Sequence, residues 1–544
     1  MFGCILPDQP DREIRMLDNP YFKILGYKKE ADQVYLFFDK VSKQVHQRTA
    51  TALNKQNLLS LAPISFWSTH FPAKNRDFSI SAASEWLIYS AKDEGVIDSD
   101  RFRGRGIWID NDEIVIHNGD KLIVNGRKLE IGEYKSKYIY EAGSHLGFEI
   151  CEPLTNEDTI EFAKLTSLIN FEREIDRLLF IGWCVIAPVC GALRWRPHLW
   201  LTGKRGCGKS WILREVIRPM LGSTALPLLG ETTSAGIRQI VKTDALNPVI
   251  DEGFKESCTD LYRLQDVISL ARVASSDDGG IIAKGTVSQN GKSYQMRGCF
   301  ALSSVTDTLQ LSSDKSRFTV INIKEGNPAN NFAELKSIIS RIMDKRHIAK
   351  LHARTLKNLP VILRNVETLS TYITGIVNEA RLGEQYGTLL AGAYSLYSEE
   401  KITPKIALEW LKKFGDWTAE RQTASESDDV TITTRILDEV ITISTGSGIK
   451  RKTVSELIQS CTGLFLPEVD EDLQRIGVRY AAGKVVIAYN HKAIMRILHG
   501  TGYELNYHKI LLRIDEAESV RMYFSGRQSR AVAIPIEYFN LEKK

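Results

Sequence analysis

Residues Gly203–Trp211 read "GKRGCGKSW", and within them Gly203, Gly206, Gly208, Lys209 and Ser210 keep the spacing G-x-x-x-x-G-K-S. That pattern suits phosphate. Glycines let backbone N–H groups converge on an anion, the helix that follows adds its positive end, and an ammonium at Lys209 neutralises the β and γ phosphates. Ser210 supplies a hydroxyl for Mg2+, while Lys204, Arg205, Cys207 and Trp211 complete the stretch that would line a bound nucleotide. A chance glycine-rich turn is the plain alternative. Against it, the apolar "LWLT" before the loop reads as a strand and "SWILREVIRPML" after it as a helix, the placement this chemistry requires.

A hydrolytic site also needs acids, and "NPVIDEG" ends an apolar run in Asp251 and Glu252. Asp251 would hold Mg2+ and Glu252 would polarise the attacking water. Successive strand residues point to opposite faces, so adjacent acids can take separate roles, although a strand-end turn would show the same letters. Acids side by side suit water activation better than kinase chemistry, and no N-K-x-D for guanine is present. "CFALSSV" places Ser303 or Ser304 near the γ phosphate, with Ser304 assigned to the catalytic set. "SSDKSRFTVINI" puts Arg317 just ahead of a strand, where it would stabilise charge on a transferring phosphoryl group or simply pair with Asp314. Between acids and serines, "GIIAKGTVSQNGKSYQMRG" alternates apolar and polar residues and turns at Asn290-Gly291, a hairpin carrying Lys284 and Lys292.

These residues need a scaffold. Apolar strands alternate with helices from about Trp195 to Lys324, which predicts a parallel α/β core. With 544 residues the chain exceeds a single core, and four segments are expected: 1–155 mixed α+β, 156–325 the α/β core with two preceding helices, 326–425 helical, and 432–544. The last segment reads helix, helix, short helix, strands, the order of a winged helix. It ends in a hairpin near Gly526 with Arg527 and Arg530 at its tip. In the first segment, Asn118-Gly119 and Asn125-Gly126 mark hairpins, and the arginines of "RFRGRGIW" are open to a phosphate contact or a solvated loop.

Composition agrees with a globular chain, 43% hydrophobic and 25% charged. The most apolar run, Leu178 to Leu193, is short for a bilayer and contains Pro188, so it reads as a buried helix and no membrane partner is expected. The first residues lack the pattern of a secretory signal, which predicts a cytoplasmic protein. Eight scattered cysteines form no C-x-x-C pair and read as reduced thiols. A net charge of +4 excludes little; the clusters of bases matter more.

Taken together, "WRPHLWLTGKRGCGKSWILREVIRPMLG", "NPVIDE", "GCFALSS" and "SRFTVINI" resemble the ATPase portion of replicative helicases from prophages and mobile elements. These are AAA+ proteins close to superfamily 3 and to poxvirus-type primase-helicases. The resemblance implies an ATP- and Mg2+-dependent motor in the cytoplasm of a bacterial host. It further implies a homo-oligomer, a hexameric ring, acting on single-stranded and forked DNA alongside a separate primase or replication initiator. Gly208, Lys209 and Ser210 match the phosphate loop, Asp251 and Glu252 the acids, Arg317 the arginine supplied to a neighbour, and Lys284 and Lys292 the DNA-gripping hairpin. One departure from the resemblance is that superfamily 3 proteins usually place Asn at the position that senses the γ phosphate, where this chain has Ser303-Ser304. Arg527 and Arg530 suit duplex contact. A AAA+ loader or remodeller without processive unwinding, or a non-motor nucleotide switch, fits the same letters.

Overall fold

The computed structural model describes residues 19–29, 33–251, 258–277, 282–284, 292–294, 296–305, 307, 309, 311–325, 328–412, 428–445, 448–462, 466–499, 501 and 503–539. The chain forms two compact units, Met1–Asp307 with Arg317–Glu409, and Thr308–Ser316 with Trp410–Lys544.

The first unit opens with a three-stranded antiparallel sheet, β1 (Phe22–Lys28), β2 (Val34–Asp39) and β3 (Val45–Thr49). Helices α1 (Lys55–Leu59), α2 (Ile64–His70) and α3 (Ile80–Glu94) accompany it. Its core is aromatic: Phe22 stacks on Trp67, whose indole N–H donates to the carbonyls of Leu58 and Ala62. After β4 (Phe102–Arg103), a four-stranded meander follows: β5 (Gly106–Asp110), β6 (Glu113–His117), β7 (Lys121–Val124) and β8 (Arg127–Glu130). Asn125 and Gly126 both take positive φ, the geometry an Asn-Gly hairpin turn needs. Strand β9 (Ile139–Tyr140) pairs with β4.

The stretch "RFRGRGIW" is not a solvated loop. Gly104 N–H donates to the Thr243 carbonyl and Ala245 N–H to that of Arg105, while the Arg105 guanidinium binds Asp244 at 2.5 Å. A side chain on Gly104 would overlap Asp244, so glycine permits the close approach. Arg101 and Arg103 are likewise turned inward, onto the carbonyls of Lys137 and Ile109. The sequence could not show this because the partners lie in a distant segment.

Helices α4 (Ile160–Ser167) and α5 (Glu174–Ile186) lead into the central sheet. The run Glu174–Ala192 is long and apolar enough to span a membrane by composition, yet is largely buried in this unit. The sheet contains β10 (His198–Thr202), β11 (Ala225–Leu229), β12 (Asn247–Asp251), β15 (Ala301–Ser303) and β16 (Phe318–Asn322), all parallel, in the order β11-β12-β15-β10-β16. Strand β11 was not legible in the sequence because "ALPLL" contains Pro227; an edge strand tolerates a missing N–H. Connecting helices are α6 (Lys209–Ile212), which continues through a π-turn at Leu213–Ile217 into α7 (Arg218–Leu221), then α8 (Ser234–Val241) and α9 (Cys258–Ala274). Strands β13 (Ile282–Lys284) and β14 (Lys292–Tyr294) form the antiparallel hairpin expected from alternation, and its Asn290-Gly291 turn lies outside the described residues.

Helices α10 (Pro328–Ile342), α11 (Lys345–Val377) and α12 (Ala380–Tyr397) then pack against this core. Gly182 of α5 and Gly392 of α12 let the two helices touch backbone to backbone, since a Cβ on either would overlap the other helix. Gln385 of α12 ties the sheet's near end, accepting from Trp195 Nε1 and donating to Thr319 Oγ1, both at 2.9 Å.

The second unit begins, among the described residues after Lys412, with α13 (Asp428–Leu437). The β-branched alternation "VITIST" becomes β17 (Val440–Thr445), paired with β18 (Gly448–Thr453). Thr453 then caps α14 (Val454–Cys461) in a reciprocal box with Glu456. Helix α15 (Pro467–Arg475) precedes a sheet ordered β19-β20-β22-β21, from β19 (Val478–Ala481), β20 (Lys484–Ala488), β21 (Glu518–Phe524) and β22 (Arg527–Pro535). Between β20 and β21 lie α16 (Lys492–Ile497) and α17 (Tyr507–Leu511). Isoleucines, leucines and valines of all these helices and of β17, β19, β20 and β22 share one core.

Candidate active site

The parallel strands end on one edge of the sheet, and the polar residues collect there. After Thr202 closes β10, the chain turns at Gly203, whose missing side chain leaves room for the Ile323 carbonyl, and passes Gly208 at φ +97° into α6. That left-handed residue aims the N-terminus of α6 back at the loop. Lys209 is 3% exposed, and its ammonium donates to the carbonyls of Gly203 (2.7 Å) and Lys204 (2.9 Å), with Cys207 Sγ at 3.7 Å. Lys204 faces Glu325 across 3.9 Å and is largely exposed.

Asp251, at the end of β12, accepts from two hydroxyls through the same oxygen, Oδ1: Ser210 Oγ at 3.0 Å and Ser303 Oγ at 2.7 Å. Three strands of the fold thus deliver one polar cluster, from the loop after β10, the tip of β12 and the tip of β15. Carboxylate and hydroxyl oxygens at that spacing fit a hard divalent cation such as Mg2+. Glu252 lies outside the described residues. Ser304, the serine assigned to catalysis from sequence, has a different neighbour: its Oγ accepts from the indole N–H of buried Trp200 at 2.7 Å. Strand alternation accounts for the split, since Ser303 and Ser304 leave β15 on opposite sides and only Ser303 faces Asp251.

Beside the loop lies a cavity of about 360 Å³, of whose lining the sequence reading named Gly206, Cys207, Gly208 and Trp211 but none of the apolar residues opposite them. Leu168, Ile169, Ile323, Phe332 and Leu335 supply apolar walls, with Gly206, Cys207 and Gly208 on the loop side. Trp211 and Phe332 meet with ring centroids 5.5 Å apart. The walls come from three distant segments, so no local pattern announces them. They are held together by backbone pairing: Lys324 N–H donates to the Asn170 carbonyl and Glu172 N–H to that of Asn322.

Arg317 stands at the other end of the sheet. Its carbonyl accepts from His198 N–H at the start of β10, its Nε donates to Ser275 Oγ at 3.1 Å, and its guanidinium lies 5.9 Å from the Trp195 ring centre. The five residues of β10 separate it from the phosphate loop, about 15 Å of strand. His198 there is buried, and burial pushes its imidazole down to about 3 against the opposing pull of the Ala271 carbonyl.

Two pairs of hairpin bases share register positions. Lys284 and Lys292 are register partners across β13 and β14, and Arg530 is the partner of Arg521 across β22 and β21. Arg527 and Arg530 are exposed. Lys484, also basic and in a hairpin, is taken by Glu518 at 2.8 Å.

No family model matches the chain, and no curated protein does. Solved structures to which it is similar include helicases. The chain shares 12% identity with "SCCmec type IV Cch - active helicase" over 96% of its own length and 94% of the other, at a TM-score of 0.48. Similarity to the "apo structure of NrS-1 C terminal region (305-718)" has 12% identity and a TM-score of 0.30, over 97% and 100% of the two chains. For a JCV helicase the values are 12% and 0.24, over 49% of this chain and 66% of that one.

Proposed function

We propose that the chain is an ATP-dependent DNA helicase that assembles as a ring, translocates on single-stranded DNA and opens duplex during replication of a phage or mobile element. The observation that carries this reading is Asp251 Oδ1 holding Ser210 and Ser303 beside the Lys209 loop. Lys209, now satisfied by loop carbonyls, exchanges them for the phosphates of ATP. Ser210 and Asp251 would hold Mg2+, which would supply neutralisation of phosphate charge. Glu252 polarises water, and Ser303 fixes the Asp251 carboxylate. The base of the nucleotide enters the apolar cavity between Trp211, Ile169 and Phe332, where flat apolar surface is buried on binding.

Arg317 is too far along β10 to serve its own loop, which supports supply to a neighbouring copy in a hexameric ring. The hairpin β13–β14 follows α9, which leaves the acid-bearing end of the sheet, so nucleotide state has a route to it. Like charges directly opposed across a strand pair are unfavourable alone. Both basic pairs, Lys284 with Lys292 and Arg521 with Arg530, therefore support phosphate contacts, with Arg527 beside the second.

ATP turnover with and without single-stranded DNA, together with strand displacement on a forked substrate, tests the proposal. Lys284→Ala with Lys292→Ala should keep basal hydrolysis and lose its stimulation by DNA. Turnover indifferent to DNA with no fork opening would sink the helicase reading and leave a AAA+ loader or remodeller.

A further inference from the structure

A second cavity, of about 520 Å³, lies at the end of the sheet opposite the Gly203–Ser210 loop. Arg103, Arg297, Arg194, Asp277 and Ser370 line it, with Glu367 and Glu384 on exposed parts of its wall. Charge is distributed unevenly with depth. Arg103 is 7% exposed, whereas Asp277 and the two glutamates face solvent. Behind the wall, Arg196 is fully buried and shares Asp277 Oδ1 with Arg297, at 3.0 and 3.5 Å.

Arg103 has a different setting. Its guanidinium lies 3.3 Å from the Tyr138 ring centre and 5.0 Å from that of Trp108, and Nη1 donates to the Ile109 carbonyl. Among the described residues no carboxylate lies within ion-pair distance of it. Its Nε is buried without an acceptor, as are Arg196 Nη2 and the Ser370 hydroxyl. Buried cations and orphaned donors cost free energy unless an anion compensates them. Burial lowers the Arg297 guanidinium from its ordinary value, Asp277 opposes that shift, and Arg196 and Arg103 add to it.

We propose that this cavity is a phosphate site, in which Arg103, Arg297 and the Ser370 hydroxyl take the oxygens of one phosphate group and Arg194 guards the entrance. Planar guanidinium groups match phosphate oxygens in geometry as well as charge. The site sits at the root of the β13–β14 hairpin. Ser276, before the hairpin, bridges to Trp195, and Arg297, after it, bridges to Ala245. A phosphate held here would brace both stems. The chemistry is shared by a nucleic-acid backbone and by a free phosphate, and the site does not depend on the nucleotide reading above.

The test uses the full chain carrying Lys209→Ala, which removes the loop's own claim on phosphate. Thermal unfolding is followed against inorganic phosphate, and binding of a short oligothymidylate is measured in parallel. A saturable rise in midpoint that Arg103→Gln abolishes and Ser370→Ala reduces supports the site. If the same substitutions also weaken oligothymidylate binding about tenfold, the natural occupant is the nucleic-acid backbone. If phosphate stabilisation is lost and oligonucleotide affinity is unchanged, the occupant is free phosphate. Should Arg103→Gln not fold, Ser370→Ala decides. A linear, unsaturable rise common to all variants is the general salting-out effect and overturns the proposal, as does no response at all.

Discussion

Ser303→Ala and Ser304→Ala remove the same atom from adjacent residues and should have opposite consequences. The Ser303 hydroxyl donates to the ionisable Asp251 at 2.7 Å, inside the polar cluster, and the residue is 1% exposed. Hydrogen bonds to charged groups are worth about 1.5–3 kcal/mol, so its loss should slow ATP hydrolysis about ten- to a hundredfold. Nucleotide binding should change less, because the Lys209 loop is untouched. Ser304 instead accepts from Trp200 Nε1 at 2.7 Å, and Trp200 is wholly buried. Stripping that acceptor should cost about 1–3 kcal/mol of folding stability with little effect on turnover by the folded chain. Steady-state hydrolysis and urea unfolding of the two variants measure both quantities. Wild-type turnover in Ser303→Ala with collapse of turnover in a stable Ser304→Ala would refute the assignment of Ser303 to Asp251.

Three further outcomes are expected. Cys207 is partly exposed in the loop, 3.7 Å from Lys209 Nζ, so maleimide labelling should block nucleotide binding and MgATP should protect. Cys184, Cys190 and Cys299 should not react in the folded chain, being buried with thiols pushed upward by that burial; mass mapping of the adducts checks this. Gly182→Ala forces a methyl into the Leu389 carbonyl and should destabilise the first unit by about 1–3 kcal/mol, read by denaturant unfolding. The third outcome concerns pH. Burial lowers His117 to about 4 and His198 to about 3, so the folded chain resists protons that the unfolded chain takes up near pH 6.5. Their contribution is complete above pH 6.5 and falls as pH drops toward 4, by about 2 kcal/mol each at pH 5. A stability profile flat between pH 7 and 5 would contradict it.

Much of the first unit was written locally. The Gly203–Ser210 loop, its flanking strand and helix, the acidic end of β12 and the alternation of the β13–β14 hairpin each depend on neighbours a few residues apart. Spacing and periodicity therefore exposed them. The polar cluster needed an apolar strand ending in Asp251 and another ending in serine, and both patterns are present in single short stretches.

Other features required the chain to fold back on itself. Which serine meets Asp251 depends on the face β15 presents, and adjacent residues on a strand tip cannot be told apart by letters alone. The three arginines of "RFRGRG" looked alike in the sequence until the fold placed Asp244 on Arg105 and two aromatic rings beside Arg103. Strand β11 was hidden by Pro227, whose missing N–H is tolerated at the sheet edge that β11 occupies. The sequence by itself determined a glycine-rich loop between strand and helix, an acid-tipped strand and a parallel α/β core, because these are encoded by short-range spacing. Tertiary structure alone decided the serine, the apolar cavity beside the loop and the buried arginines at the hairpin root, because each is made by segments far apart in sequence that packing brings within a few ångströms.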